Sequence, residues 1–334
     1  MKNSGNLQSL SKGINRRSVL IGGASLPFLA GVGPAFAQPS DKIPLKFAHA
    51  PIIPATNLII AAQSGFLEQA GIAPNRAVLG TYDVMRAALI SGGISVTFMV
   101  TDALIRARAA GFDWKMLYPA DIYVSDRADA ALMVKKGSPI KTAKDLEGKT
   151  VMAAPGTISG SVFKSYMRSN GANENSVRLI NIPHSQVLAA LETGQVDAAH
   201  MVDPFMTLGV QKGIVQLLDR HLDQVSKRYL ISGYIAKGDW IAANPEVVKR
   251  FTAGLKAATD FINSNPDKVL PVLAKETKID PETLKTFFPN QYNISSAIKK
   301  DELQPSIDFL VKNKEISSDV ALSDLLAPTF PLEG

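Results

Sequence analysis

Residues 190–203 read Ala190-Leu191-Glu192-Thr193-Gly194-Gln195-Val196-Asp197-Ala198-Ala199-His200-Met201-Val202-Asp203, and a kindred phrase stands 102 positions earlier. That phrase is Ala88-Leu89-Ile90-Ser91-Gly92-Gly93-Ile94-Ser95-Val96-Thr97-Phe98-Met99-Val100-Thr101-Asp102. Ala88, Leu89, Gly92, Met99 and Val100 coincide with Ala190, Leu191, Gly194, Met201 and Val202, while Ser91/Thr193 and Ile94/Val196 are conservative pairs. In both copies a helix ends at a Ser/Thr-Gly stop and a short apolar strand follows at once. The alternative reading is that α/β proteins in general reuse this phrase.

Upstream of each copy lies a matching strand and helix. Pro44–His49 reads as a buried strand and Asn57–Gln69 as a helix stopped by Gly71. In the second half, Thr150–Ala154 is the strand and Ser159–Ser169 the helix, stopped by Gly171. Each half is therefore β-α-β-α-β, which closes as a parallel sheet covered by helices. Tyr229–Ile235 returns as a strand, and a long amphipathic helix runs from Asn244 to Asn265, with Val247, Val248, Phe251, Leu255, Ala258 and Ile262 at helical spacing. Asn244 is its expected cap and Pro245 sits in its first turn. Further helices are expected over 266–278, 281–287, 299–313 and 317–326. The fold class is thus α/β, with residues 42–135 plus 231–330 as one lobe, 136–230 as the other, and two strand crossovers as the hinge. In open parallel sheets a ligand sits at the carboxyl ends of the strands, so two facing lobes share a cleft that closure about the hinge would bury.

Composition narrows the function. The chain is 46% hydrophobic and 20% charged, which suits a globular protein and excludes disorder. Its net charge of +6 misleads, because Lys2, Lys12, Arg16 and Arg17 fall in the first 37 residues, where there are no acids. The remaining 297 residues carry 32 bases against 30 acids, a balance that leaves no electrostatic footprint for nucleic acid. Zero cysteines exclude disulfides, iron–sulfur clusters, Cys-ligated zinc and thiol catalysis.

Residues 1–37 read as an export signal. Asn15-Arg16-Arg17-Ser18-Val19-Leu20 opens a weakly apolar stretch that ends in Ala35-Phe36-Ala37, an A-x-A-type cleavage site leaving Gln38 as the new N-terminus. About 15 apolar residues would rise about 22 Å as a helix, short of a ~30 Å hydrocarbon core. The paired arginines resemble the twin-arginine export pattern, with Asn15 in place of its Ser/Thr; arginine pairs also occur in general secretory signals. The expected location is the periplasm, with cleavage after Ala37.

Several phrases, in order and spacing, carry a family resemblance: Gly65-Phe66-Leu67-Glu68, Ala87 to Gly92, Val134 to Ile140, Asp145 to Lys149, and Ala190 to Ala198 followed by Asp203-Pro204. Over about residues 43–330 the chain resembles the periplasmic solute-binding proteins of ABC importers for sulfonates, taurine and nitrate, whose relatives include binders of thiamine-pyrimidine precursors. The resemblance implies the two-lobed periplasmic-binding-protein fold, no enzyme activity, no cofactor, a small-molecule ligand, and as partners an ABC permease with its cytoplasmic ATPase. It implies a monomer, and a small organic anion as ligand, sulfonate- or taurine-like first, with nitrate, aromatic carboxylate and pyrimidine precursors as alternatives. One branch of the superfamily makes the thiamine pyrimidine with a cysteine-rich iron motif, which a cysteine-free chain cannot carry. A sensor in place of the permease is equally compatible with the sequence.

Candidate ligand-binding residues follow from the strand ends. Gly156-Thr157-Ile158-Ser159-Gly160-Ser161 is a Gly-flanked, hydroxyl-rich turn entering a helix, where free backbone N–H groups and the positive helix end suit an anion. Gly156, Thr157 and Ser159 are the expected contacts, unless Thr157 or Ser159 only caps its own helix. The offset of 102 pairs Thr101 with Asp203 and Tyr82 with His184, and would set these four across the cleft. Asp203 could pair a substrate amine or cap the helix starting at Pro204; Asp102 carries the same alternatives. His49 and His184 are contacts or satisfied core histidines, while His200 on a strand and His221 on a polar stretch are not expected to serve. Tyr82, Tyr123, Phe205 and Tyr234 could wall the site, Phe205 equally well being core. Enzymatic readings fare worse: there is no G-x-S-x-G elbow, no H-E-x-x-H, no histidine pair at metal-ligand spacing and no Gly-Lys-Ser/Thr ending to Gly156-x-x-x-Gly160.

Overall fold

The computed structural model describes residues 42–285, 296–317 and 320–333. The expected export segment lies outside these residues. Among the described residues no helix is long and apolar enough to cross a membrane.

The first half runs β1 (Ile43–His49), α1 (Thr56–Gln63), α2 (Phe66–Gln69), β2 (Ile72–Val78), α3 (Tyr82–Ser91), β3 (Val96–Val100), α4 (Thr101–Ala109) and β4 (Trp114–Val124). The second half runs β5 (Ala130–Lys135), β6 (Thr150–Met152), α5 (Ile158–Ser169), β7 (Arg178–Ile180), α6 (Val187–Glu192), β8 (Ala198–Val202), α7 (Phe205–Gln211) and β9 (Val215–Asp219). The chain then returns through β10 (Arg228–Lys237) into α8 (Gly238–Ala243), α9 (Pro245–Ser264), α10 (Pro266–Thr277), α11 (Pro281–Lys285), α12 (Lys300–Lys312) and the single turn α13 (Leu322–Leu325).

Two five-stranded sheets result, ordered β2-β1-β3-β10-β4 and β7-β6-β8-β5-β9. In each, the first three strands are parallel, and the fourth runs antiparallel to them. That fourth strand, β10 or β5, is in each case the one by which the chain arrives from the other sheet. The two sheets thus share one plan and exchange one strand each.

The repeated phrase has one geometry in both copies. Gly92 and Gly194 hold φ of +76° and +74°, a region where only glycine avoids a Cβ clash. The Gly92 N–H donates to Leu89 O and the Gly194 N–H to Leu191 O; the Ile94 N–H donates to Ala88 O and the Val196 N–H to Ala190 O. Leu89 and Leu191 are each 1% exposed, so the same leucine drives the same helix into each core. The two copies therefore share one helix stop, down to the bonds.

The return helix α9 buries Val247, Val248, Phe251, Leu255, Ala258 and Ile262 as its spacing requires. Phe251 packs on Phe47 of β1 with ring centroids 6.4 Å apart, which fastens the tail to the first sheet. Each such side chain contributes about 1.5–3 kcal/mol of transfer free energy. Three sequence boundaries shift. Strand β5 starts at Ala130 and pairs with β8 and β9, so residues 130–135 belong with the second sheet, and β10 joins the first from Arg228. The expected helix over 57–69 breaks at Gly65, whose φ of +82° ends α1. Of the helix expected over 317–326 only Leu322–Leu325 is helical, and the helix expected over 281–287 is described to Lys285.

Candidate functional site

A narrow cavity of about 30 Å³, within about 530 Å³ of space that includes open solvent, lies where the two sheets meet. Strand β3 lends it Phe98 and Val100 and strand β8 lends His200 and Val202; these positions are related by the repeat offset. Tyr82 reaches it from the first turn of α3, and His184, its partner by the same offset, from just before α6. The start of α5 adds Thr157, Ile158 and Ser159, the crossing strands add Asp121, Asp129, Ile231 and Ser232, and Asn181 closes the rim.

The rings form a continuous series. Tyr82 stacks on Phe98 at 6.2 Å and meets His184 edge-on at 6.2 Å, His184 stands 6.5 Å from His200, and His200 stands 5.0 Å from His221. His200 Nδ1 and His221 Nε2 share a hydrogen bond of 3.0 Å. Burial pushes His184 down to about 4 and His221 down to about 3. It also holds His200 well below its usual range, helped by the neighbouring His221 and His184. All three rings are therefore neutral at pH 7 and supply hydrogen bonds without positive charge.

Among the described residues, Asp121 and Asp129 are the only carboxyl pair lining the cavity, 5% and 7% exposed. Burial and the Asp129 charge beside it raise Asp121 well above the carboxylate range; burial raises Asp129 too, while the hydrogen bond from Asp121 opposes that rise. Both shifts are upward, so the pair holds a proton between its two carboxyl groups. Among the described residues no lysine or arginine side chain lines the cavity.

The turn entering α5 is tied by its own hydroxyls. Thr157 Oγ1 donates to Ala154 O at 2.9 Å and lies 2.9 Å from Ser159 Oγ, which accepts from the Ala154 N–H at 3.0 Å. Neither alternative from the sequence is met in pure form: Thr157 does not cap its helix with its side chain, yet both hydroxyls face the cavity while serving the turn. The Asp102 carboxylate, from α4 of the other half, lies near the Ile158 N–H at the helix start, which helps hold its pKa down against burial. Asp102 Oδ2 also accepts from Arg106 Nε at 3.3 Å, and Arg106 Nη2 donates to Ser161 Oγ of α5 at 2.6 Å. Ser161 Oγ donates in turn to Glu315 at 2.7 Å, Arg106 bonds Glu315, and Arg168 of α5 bonds Asn313. The tail beyond α12 thereby reaches the second half.

Of the expected contacts, Tyr82, Thr157, Ser159 and His184 come together at the cavity, and seven do not line it. His49 is buried away from it, bonded to Ala50 O and Arg76 and 3.8 Å from Glu276. Thr101 is buried, Asp102 is committed to Arg106, and Gly156 faces outward, where it supplies a turn residue with φ of +72°. The Tyr123 hydroxyl donates to Asp223 at 2.7 Å, bracing the two crossings, where the Ser125 N–H also donates to Lys227 O. Asp203 accepts from the Thr207 N–H at 2.8 Å and from its hydroxyl at 3.1 Å, so its helix-capping alternative holds. Phe205 is core, as is Tyr234, whose hydroxyl bonds Asn57. The reading that set His200 aside is corrected: it lines the cavity at the position the offset gives from Phe98, a pairing the sequence already contained. Asp121, Asp129, Asn181 and Ser232 lie outside the repeat and have no motif.

Known proteins share this arrangement. A protein of Brucella abortus (strain 2308), provisionally named a binding protein, is 27% identical over 288 residues, covering 85% of each chain. A solved structure from Bordetella bronchiseptica RB50 superposes with a TM-score of 0.77 at 18% identity, over 87% of this chain and 96% of that one. The periplasmic aliphatic sulphonate binding protein SsuA from Escherichia coli does so with 0.67 at 18% identity, over 85% and 97%. The desulfurization enzyme DSZB also superposes, with 0.64 at 17% identity over 86% and 97%, so the fold by itself does not separate binders from enzymes. The periplasmic binding protein fold expected from the two repeated halves is the fold of these neighbours. A model of the family described as NMT1/THI5 like matches residues 53–269, from just after β1 to the first turn of α10; with most of the chain so matched, the protein belongs to the NMT1/THI5-like family.

Proposed function

We propose that this protein is the periplasmic ligand-binding component of an ABC-type import system, which closes its two halves on a small solute and delivers it to a permease. One observation carries the reading: the cavity is walled by strand ends of both sheets, and only two chain crossings, at 125–129 and 220–227, join those sheets before the tail. A ligand held by both walls favours the form in which they meet. The export segment, with cleavage after Ala37, and a monomeric exported chain complete the proposal. The relatives bring a sulfonate- or taurine-like anion as the first candidate solute, and the start of α5 with Thr157 and Ser159 is the feature that would hold it. A second reading of the solute is favoured by the Asp121–Asp129 pair and is argued below.

The test is solution scattering and thermal denaturation of the chain from Gln38 onward, against a library of small polar metabolites. A true ligand should contract the radius of gyration and, at 100 times its dissociation constant, add about 2.7 kcal/mol of stability. A ligand that stabilises without contraction would confine the site to one half and refute the two-walled mechanism.

A further inference from the structure

We infer that the cavity takes a small nitrogen cation, an ammonium or an amidinium, seated against the Asp121 and Asp129 carboxyl groups. The inference rests on the binding role proposed above and adds the solute's charge to it. Two carboxyl groups bonded to each other at 5% and 7% exposure cannot both ionise without a positive partner. Such a pair disfavours the empty fold where two amides or apolar residues would not, and pairs of this kind concentrate at functional sites. Among the described residues no side chain lining the cavity carries a positive charge to answer them.

A separate observation points the same way. Ser232 lines the cavity at 1% exposure with no hydrogen-bond partner for its Oγ, and His184, also lining it, has an unpartnered, buried Nδ1. A buried polar atom left unpaired costs about 1–3 kcal/mol, and both atoms can accept from an N–H donor. The stacked Tyr82 and Phe98 add aromatic faces, which attract cations. Carboxyl groups, open acceptors and ring faces together suit a solute rich in N–H and positive in charge. A sulfonate would bring its own negative charge beside the pair, and the α5 start, a positive dipole end beside it, already has the Asp102 carboxylate nearby.

The experiment is calorimetric titration of the chain from Gln38 with benzamidinium, propylammonium, ethanesulfonate and nitrate, with scattering recorded at saturation. A cation should bind and contract the protein, and neither anion should. Asp121→Asn and Asp129→Asn should each weaken the cation roughly ten- to a hundredfold, with melting midpoints no lower than the parent's. Failure of both cations, or cation affinity unchanged in both variants, overturns the inference. An anion that binds, contracts the protein and keeps its affinity in Asp121→Asn overturns the charge assignment but leaves the binding role standing. Binding without contraction in parent and variants alike counts against the binding role itself.

Discussion

The two halves place side chains at equivalent points and fill them with different chemistry. At the points related by the offset of 102, the first half sets Tyr82 and Phe98 and the second sets His184 and His200, while Val100 and Val202 stay the same. The supporting turns match bond for bond, from the Gly92 and Gly194 stops to the buried Leu89 and Leu191. Architecture is therefore fixed by residues that never see the cavity, and the cavity's chemistry by the few that alternate with them along the same strand. A strand with period 2 separates these duties automatically, since neighbouring side chains point to opposite faces.

This comparison can be broken most severely at the paired leucines. Leu89→Ala and Leu191→Ala should each cost about 2–5 kcal/mol in denaturant unfolding, with similar losses in the two halves; a loss confined to one would show that the copies are not equivalent in energy. A difference between the halves appears next at Asp102, which the second half lacks. Its carboxyl is pushed up to about 6, chiefly by burial, so the fold binds this proton more tightly than the unfolded chain. Stability should then fall as pH rises from about 4 through about 6, by about 3 kcal/mol for this group. Asp102→Asn should flatten that slope, and an unchanged slope would place the titration elsewhere. Gly92→Ala and Gly194→Ala should each cost about 1–2 kcal/mol, again in parallel. The smallest effects should carry opposite signs. Asp203→Ala removes the bonds to Thr207 and should cost about 1 kcal/mol. Thr101→Val, at the equivalent position, removes a buried hydroxyl without a partner and should gain about as much. Equal signs at those two positions would mean that the helices following β3 and β8 are held in the same way after all.

The sequence made the scaffold legible because its signals are local: a glycine stop, an apolar strand and a helical period each act within about ten residues. The cavity was legible only where the repeat reached it, as at Tyr82 and His184, or where a turn announced itself, as at Thr157 and Ser159. Asp121 and Asp129 lie on and just after a crossing strand, and nothing near them in sequence tells that both become buried together. His49, Tyr123 and Asp203 looked suitable as polar residues near strand ends, yet each is taken up by a partner remote in sequence or along its own helix: Arg76, Asp223 and Thr207. Whether a polar side chain is spent at home or left for a solute depends on such partners.

The knot of Arg106, Ser161 and Glu315 joins the first half, the second half and the tail through bonds that need all three in place. None of its members lines the cavity, so it has no part in choosing a solute. If the binding role proposed above holds, its influence would fall instead on time: parting the sheets would untie it, and the ease of untying would set how long a captured molecule stays. Loosening it, as Ser161→Ala would, should quicken release for every solute alike, a change in dwell time with preference left as it was.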